Sequence, residues 1–240
     1  MNTQTYSPIV ELRQYTLHPG QRDVLIELFD REFIETQEAI GIQVIGQFRD
    51  LDDPDRFVWL RGFNDMPGRA QSLSAFYGGP VWKEHRNTAN ATMIDSDNVL
   101  LLRPARLNSG FSLNGNGLPP GSDSFSAEIV SATICYFDAP VTPDFISYFE
   151  TVLEPILSKR DASILAYFVT HGSANTFPAL PIREDEHVFV WFASFQDQAV
   201  YESHIAALAK SKEFSKELRR RLIREPERLR LSPTSRSRLR

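Results

Sequence analysis

The spacing of apolar positions changes several times over the first hundred residues, and each change marks an element. Ile9 to Leu17 (IVELRQYTL) is rich in β-branched and aromatic side chains and reads as a strand. Pro19-Gly20 breaks it and starts a helix, in which Val24, Leu25, Leu28, Phe29, Phe33, Ile34 and Ile40 recur at helical spacing. Gly41 suits the left-handed residue that ends such a helix. Ile42 to Arg49 is a second strand, Asp52-Asp53-Pro54-Asp55 a hairpin turn, and Arg56 to Phe63 a third strand. Pro67 opens another helical region, interrupted at Gly78-Gly79-Pro80 and resumed through Val81 to Ile94, and Val99 to Leu102 closes the series as a strand. The order βαββαβ is the split ferredoxin-like unit.

The pattern then repeats. Phe57-Val58-Trp59-Leu60-Arg61-Gly62-Phe63-Asn64-Asp65 aligns with Phe189-Val190-Trp191-Phe192-Ala193-Ser194-Phe195-Gln196-Asp197. Matching elements flank both copies: a strand at Glu128 to Phe137, a helix at Pro143 to Leu157, strands at Ile164 to Thr170 and His187 to Phe195, helical sequence from Gln198 to Ile223, and a last strand near Leu231. Four elements in the same order make the chain a tandem duplication. The boundaries predicted are a first unit over 8–104, a Gly/Ser/Asn/Pro-rich linker over 105–125, a second unit over 126–233 and a basic tail over 234–240, with residues 171–185 lengthening the second hairpin.

Both faces of the third strand are apolar, Phe57, Trp59 and Phe63 on one and Val58 and Leu60 on the other, so the sheet must be covered twice. Helices cover one face; a second sheet covers the other. The predicted fold class is therefore α+β, two tandem ferredoxin-like units forming an α/β barrel of the dimeric α/β-barrel type, with helices outside and a pseudo-two-fold axis. An intrachain barrel gives a monomer; sheets pairing between chains give a homodimer.

Composition narrows the chemistry. The 240 residues carry 26 Lys+Arg against 31 Asp+Glu, a net charge of −5, and one cysteine, Cys135, which excludes an internal disulfide framework and cysteine-based metal sites. Twelve basic and four acidic residues lie between Lys210 and Arg240, so this stretch carries +8 and the rest −13. The interspersed glutamates read as a solvated helix face followed by a frayed end, and the acidic bulk excludes nucleic acid as the main partner. No apolar run is long enough to span a bilayer, and the N-terminus lacks a signal-peptide pattern, which predicts a cytoplasmic protein. Dinucleotide, P-loop, nucleophile-elbow and zinc-protease motifs are missing, and the five histidines show no ligand spacing; neither cofactor nor metal is expected.

Residues 8–104 resemble a NIPSNAP-family domain, a branch of the dimeric α/β-barrel superfamily. The likeness rests on Val10-Glu11-Leu12-Arg13-Gln14-Tyr15-Thr16-Leu17-His18-Pro19-Gly20, close to the family's opening ELRxYxLxPG pattern, on the aromatic strand Phe57 to Phe63, and on the stretch Phe76 to Arg86. The resemblance implies the barrel fold and a vesicular, mitochondrial or small-molecule-binding role. The second unit resembles the same fold without the ELRxY signature, Ile134-Cys135-Tyr136 occupying the comparable strand.

The candidate site lies in the first unit. Glu11, Arg13 and Tyr15 alternate and share one strand face; Arg61 shares the face of Trp59 on the neighbouring strand. A structural role for these residues is an inter-strand ion-pair network that fixes register. A functional role is that two guanidiniums against one carboxylate leave an arginine for an anionic or enolate oxygen, with Tyr15 and Trp59 walling a pocket. Trp82, His85 and Arg86 follow the Gly-Gly-Pro break at i, i+3 and i+4 and share a helix face beside it. His204 reads as a core or surface residue. The expected function is a module that binds a small apolar or aromatic ligand or a protein partner. The alternative is a cofactor-independent monooxygenase-like enzyme acting on an electron-rich aromatic or enolisable substrate, which requires an apolar cavity between sheet and helices with Arg and His reaching inward.

Overall fold

A computed structural model describes residues 7–112 and 127–240. The first unit runs β1 (Ile9–Leu17), α1 (Arg22–Leu28), a π-turn (Phe29–Phe33), α2 (Ile34–Glu38), β2 (Gln43–Asp50), β3 (Arg56–Phe63), α3 (Met66–Gly78), α4 (Pro80–Thr92) and β4 (Met93–Pro104). The second runs β5 (Ile129–Phe137), α5 (Pro143–Tyr148), a π-turn (Phe149–Leu153), α6 (Glu154–Ser158), β6 (Ser163–Thr170), β7 (His187–Phe195), α7 (Gln198–Ala209), a π-turn (Glu213–Leu218), a 3₁₀ turn (Arg219–Arg221) and β8 (Glu227–Pro233). Both units thus follow βαββαβ, and their first helices are interrupted by a π-turn at the same place.

Eight antiparallel strands close a single barrel in the order β1-β3-β2-β8-β5-β7-β6-β4. The two sheets join edge to edge, β2 on β8 (Phe48 opposite Pro233) and β4 on β6 (Leu102 opposite Thr170), so the barrel closes within one chain. Strand alternation sorts the side chains. Val10, Leu12, Val58, Leu60, Phe168, Phe192 and their neighbours fill the barrel, while Tyr15, Phe57, Trp59 and Phe63 face the helices and meet Leu25, Phe29, Phe33 and Phe76. A third cluster repeats this outer layer in unit two with Phe149, Phe189, Trp191 and Phe195.

Local signals hold the helices in register. Asp65 and Asp197 cap α3 and α7 by accepting from Gly68 N and Val200 N. Gly41 closes the first helix at φ +85°, and Asp161 occupies the matching position at φ +64°. Gly79 separates α3 from α4 where a Cβ would lie 2.8 Å from Ala75 O.

Three expectations need correction. The helix expected from Gln198 to Ile223 stops at Ala209 and continues only as short turns, and β4 starts at Met93 rather than Val99. The C-terminal stretch is not frayed. After β8 it turns back along β2: Thr234 N donates to Gln47 O, Arg236 pairs with Glu35 and reaches Asp30 O, and Leu239 enters the barrel core. Arg236 and Arg238 are matched to Glu35 and Glu38 on the first helix of unit one, and Arg240 donates to backbone carbonyls of the tail itself. Residues 105–112 are its counterpart, running along β6 with Ser109 on Tyr167 and Phe111 in the core. Of the linker expected over 105–125, residues 113–125 lie outside the described residues.

Candidate functional site

Pairing of β1 with β3 sets Glu11 opposite Arg61 and Arg13 opposite Trp59, and the pleat points all four at the helix layer. Glu11 is fully buried and accepts three charge-assisted bonds: Oε2 from Arg13 Nη1 and Arg61 Nε, each at 2.7 Å, and Oε1 from Arg69 Nε at 2.6 Å. Arg69 sits on α3, four residues after the Asp65 cap, and is as buried as the glutamate. Its Nη1 also donates to Asn175 Oδ1 (3.0 Å) and Thr176 Oγ1 (3.1 Å) of the loop between β6 and β7. Arg13 Nε donates to Tyr15 Oη at 3.0 Å.

Three guanidiniums against one carboxylate leave an excess of positive charge. Burial alone raises the Glu11 carboxyl, but Arg61, Arg13 and Arg69 override it and hold the group far below the usual carboxylate range. Burial foremost raises the Tyr15 phenol, against the pull of Arg13, and keeps it neutral. The surplus is visible in the hydrogen bonding: both Nη groups of Arg61 and Nη2 of Arg69 are buried with no partner among the described residues. Arg61 lies 5.1 Å from the Trp59 ring centroid and Arg13 5.6 Å, so the indole is the shared wall of the network.

On the other side of that wall is a cavity of about 30 Å³, lined by Tyr15, Phe33, Trp59, Phe76, Tyr77 and Trp82 among others. That volume admits a water or two. Tyr77 and Trp82, both half-buried, close it toward solvent, and Phe177 of the β6–β7 loop stacks on Tyr77 at 5.8 Å.

Of the eight residues singled out in the sequence, the structure brings Glu11, Arg13, Tyr15, Trp59 and Arg61 into one cluster and places Trp82 in the adjoining cavity wall. It does not bring in His85 and Arg86. Trp82 in the first turn of α4 packs on the cavity and Ala89 farther along is buried in the core, but between them His85 Nε2 stands 3.6 Å from Glu32 Oε2 and Arg86 is exposed. Sequence reading missed Arg69, although Arg69, Leu73 and Phe76 recur at i, i+4 and i+7 on the face of α3 that meets the core. It also missed Asn175, Thr176 and Phe177, which unit two supplies through a loop whose polar composition gave no sign of its destination.

The second unit has the same geometry without the charge. Ser131, Thr133, Cys135 and Ala193 stand where unit one has Glu11, Arg13, Tyr15 and Arg61, and Tyr201 takes the place of Arg69. Burial pushes the Cys135 thiol far up, so it stays protonated.

Residues 10–108 match the family model described as NIPSNAP. The first unit belongs to the NIPSNAP family. Solved structures resemble the whole chain as well. An anthrone oxidase-like protein superposes with a TM-score of 0.56 at 14% identity, over 94% of this chain and 91% of that one. A candidate monooxygenase of Lactobacillus acidophilus gives 0.54 at 10% over 95% and 94%, and one of Fusobacterium nucleatum 0.52 at 11% over 95% and 93%. These likenesses show the fold, and they extend through both the NIPSNAP unit and its partner. A search of the curated proteins returned no match. No helix among the described residues is long and apolar enough to cross a membrane.

Proposed function

We propose that the NIPSNAP unit is a binding module for a small planar aromatic ligand that carries one anionic or enolate oxygen. The observation that supports this is the pair of buried, unpartnered Nη groups on Arg61, beside an aromatic cavity that shares Trp59 with it. Two guanidinium Nη groups buried without an acceptor are costly even though Nε is paired with Glu11, and a ligand oxygen removes that cost. The cavity is too small for such a ligand as it stands, so Tyr77, Trp82 and Phe177 swing aside to admit it. A protein partner fits less well, because the unsatisfied donors lie inside and every barrel strand is already paired on both edges. We place the protein in the cytoplasm, where its lone cysteine is an ordinary buried thiol.

The oxidising alternative needs a base that reaches the ligand. His85 points to Glu32, and the Glu11 oxygens already accept three guanidinium bonds. The geometry therefore favours capture over turnover. The test is a titration of the full chain with salicylate, followed by tryptophan fluorescence. Saturable quenching is expected, weakened about tenfold or more in Arg61→Met, with the melting temperature nearly unchanged because a well-packed apolar side chain replaces a surplus charge. Absence of saturable quenching in the unmodified chain, or equal affinity in Arg61→Met, would overturn the proposal.

A further inference from the structure

Unit two keeps an opening where unit one is filled. With Ser131, Thr133 and Ala193 on the strands, a recess of about 10 Å³ remains beneath α7, bounded also by Trp191, Tyr201, His204 and Arg228. Four of its walls, Ile205, Leu208, Phe214 and Arg228, also line an outer cleft of about 230 Å³ between α7 and the turns that follow it. The cleft exists because the helical region breaks at Ala209, whereas the corresponding region of unit one continues into α4. Its sides are apolar (Ile205, Leu208, Phe214, Pro226), and at its rim Arg219 is already paired with Glu225.

The polar groups are Ser131 and Thr133 in the recess and Arg228, exposed where recess and cleft meet. Ser131 and Thr133 are buried, and neither hydroxyl bonds to a described residue. Arg228 stands opposite Thr133 in the β5–β8 pairing and has no carboxylate partner among the described residues. His204 Nδ1 lies 2.7 Å from Arg160 O; a carbonyl only accepts, so the proton is on Nδ1 and Nε2 is left as the ring's free polar atom. The recess is the size of one water or a single carboxylate oxygen; the cleft is the size of a short hydrocarbon.

The geometry points to a second binding site, for a short amphipathic monocarboxylate, with the carboxylate on Arg228 and the Ser131 and Thr133 hydroxyls and the hydrocarbon along Ile205, Leu208, Phe214 and Pro226. An unpaired guanidinium bordering both the recess and the apolar cleft, with two buried donor hydroxyls in the recess, recognises a carboxylate rather than a neutral head or a cation. This site is separate from the one proposed for the NIPSNAP unit and shares no residue with it.

Calorimetric titration of the full chain with sodium hexanoate tests it, with hexanamide as the neutral isostere. Saturable binding of hexanoate below about 5 mM is expected, with hexanamide at least about tenfold weaker. Arg228→Gln is expected to weaken hexanoate about tenfold or more, and Ala209→Trp, at an exposed position lining the cleft, to block it. Arg61→Met leaves it unchanged, which separates this site from the one in unit one. No saturable hexanoate binding, equal binding of hexanamide, or hexanoate affinity indifferent to both Arg228→Gln and Ala209→Trp would overturn the assignment. Both positions are exposed, so folding is retained and melting temperature verifies it.

Discussion

The two units share a backbone and differ in what they bury on it. At four matched positions on the paired strands, unit one has Glu11, Arg13, Tyr15 and Arg61 where unit two has Ser131, Thr133, Cys135 and Ala193. The charged version draws in a third arginine from α3 and two side chains from the neighbouring unit's loop; the neutral version leaves a recess and a cleft. One scaffold therefore supports two solutions to the layer between sheet and helix, because the aromatic residues that hold the layers together, Phe57 and Trp59 or Phe189 and Trp191, are the same in both.

The sharpest way to break this comparison is to remove the carboxylate. Glu11→Gln leaves three buried guanidiniums facing one another and is expected to cost about 3–5 kcal/mol in denaturant unfolding. The matched change, Ser131→Ala, is expected to cost less than about 0.5 kcal/mol. Equal costs would mean that the network contributes nothing beyond packing. The carboxyl is held far below its unfolded-state value, so its contribution is complete above that value, near pH 4–5, and fades only as the pH falls further.

Next come the segments that follow each last strand. Phe111 enters the barrel beside Phe168 and Phe192, and Leu239 enters at the matching place. Phe111→Ala is expected to cost about 3–5 kcal/mol and Leu239→Ala about 2–4 kcal/mol, both by thermal unfolding. A Leu239→Ala chain as stable as the parent would return the C-terminal stretch to the status of a loose basic tail.

How far the sequence spoke follows from the same comparison. Strand and helix periods, the 132-residue repeat of Phe-Val-Trp and the doubly apolar β3 make the tandem barrel legible, because each depends on local spacing. The alternation of Glu11, Arg13 and Tyr15 with Arg61 on the next strand is legible for the same reason. Arg69 reaches Glu11 from 58 residues away, and Asn175 and Thr176 reach Arg69 from 106 and 107, distances that only the packed tertiary fold sets. The tail was misread because its arginines find their acids, Glu35 and Glu38, about 200 residues upstream. The sequence places His204 in the core or at the surface; that it borders a recess follows from the smallness of Ser131, Thr133 and Ala193, and periodicity does not show cavities.

A smaller effect separates the two helix ends. Gly41 at φ +85° accepts no side chain without strain, so Gly41→Ala is expected to cost about 1–2 kcal/mol. At the matched Asp161, Asp161→Gly is expected to be neutral or to stabilise by a few tenths of a kcal/mol. Measured by thermal unfolding, a shared sign would show that the two turns are not equivalent.

The smallest expected effect is a pair of opposite pH responses. Asp30 and Glu150 occupy matching places at the π-turns, each beside the segment that follows the other unit's last strand. Arg106 Nε and Nη2 donate to the Glu150 carboxylate at 2.9 and 3.1 Å, and those bonds lower its pKa. Arg236 instead donates to the Asp30 backbone carbonyl and to the Glu35 carboxylate, so burial dominates and raises the Asp30 carboxyl to about 6. The native state thus holds the Asp30 proton more tightly than the unfolded chain does, and stability falls by about 1 kcal/mol as the pH rises from about 4 to about 6. Glu150 acts in reverse: its contribution is present above the ordinary carboxyl value and is lost as the pH falls through its own. Asp30→Asn should flatten the fall in melting temperature between pH 4 and 6, whereas Glu150→Gln should lower it at pH 7 and leave that slope in place. If Asp30→Asn keeps the parent's slope, the Asp30 carboxyl is not held protonated by burial, and the two π-turns differ only in sequence.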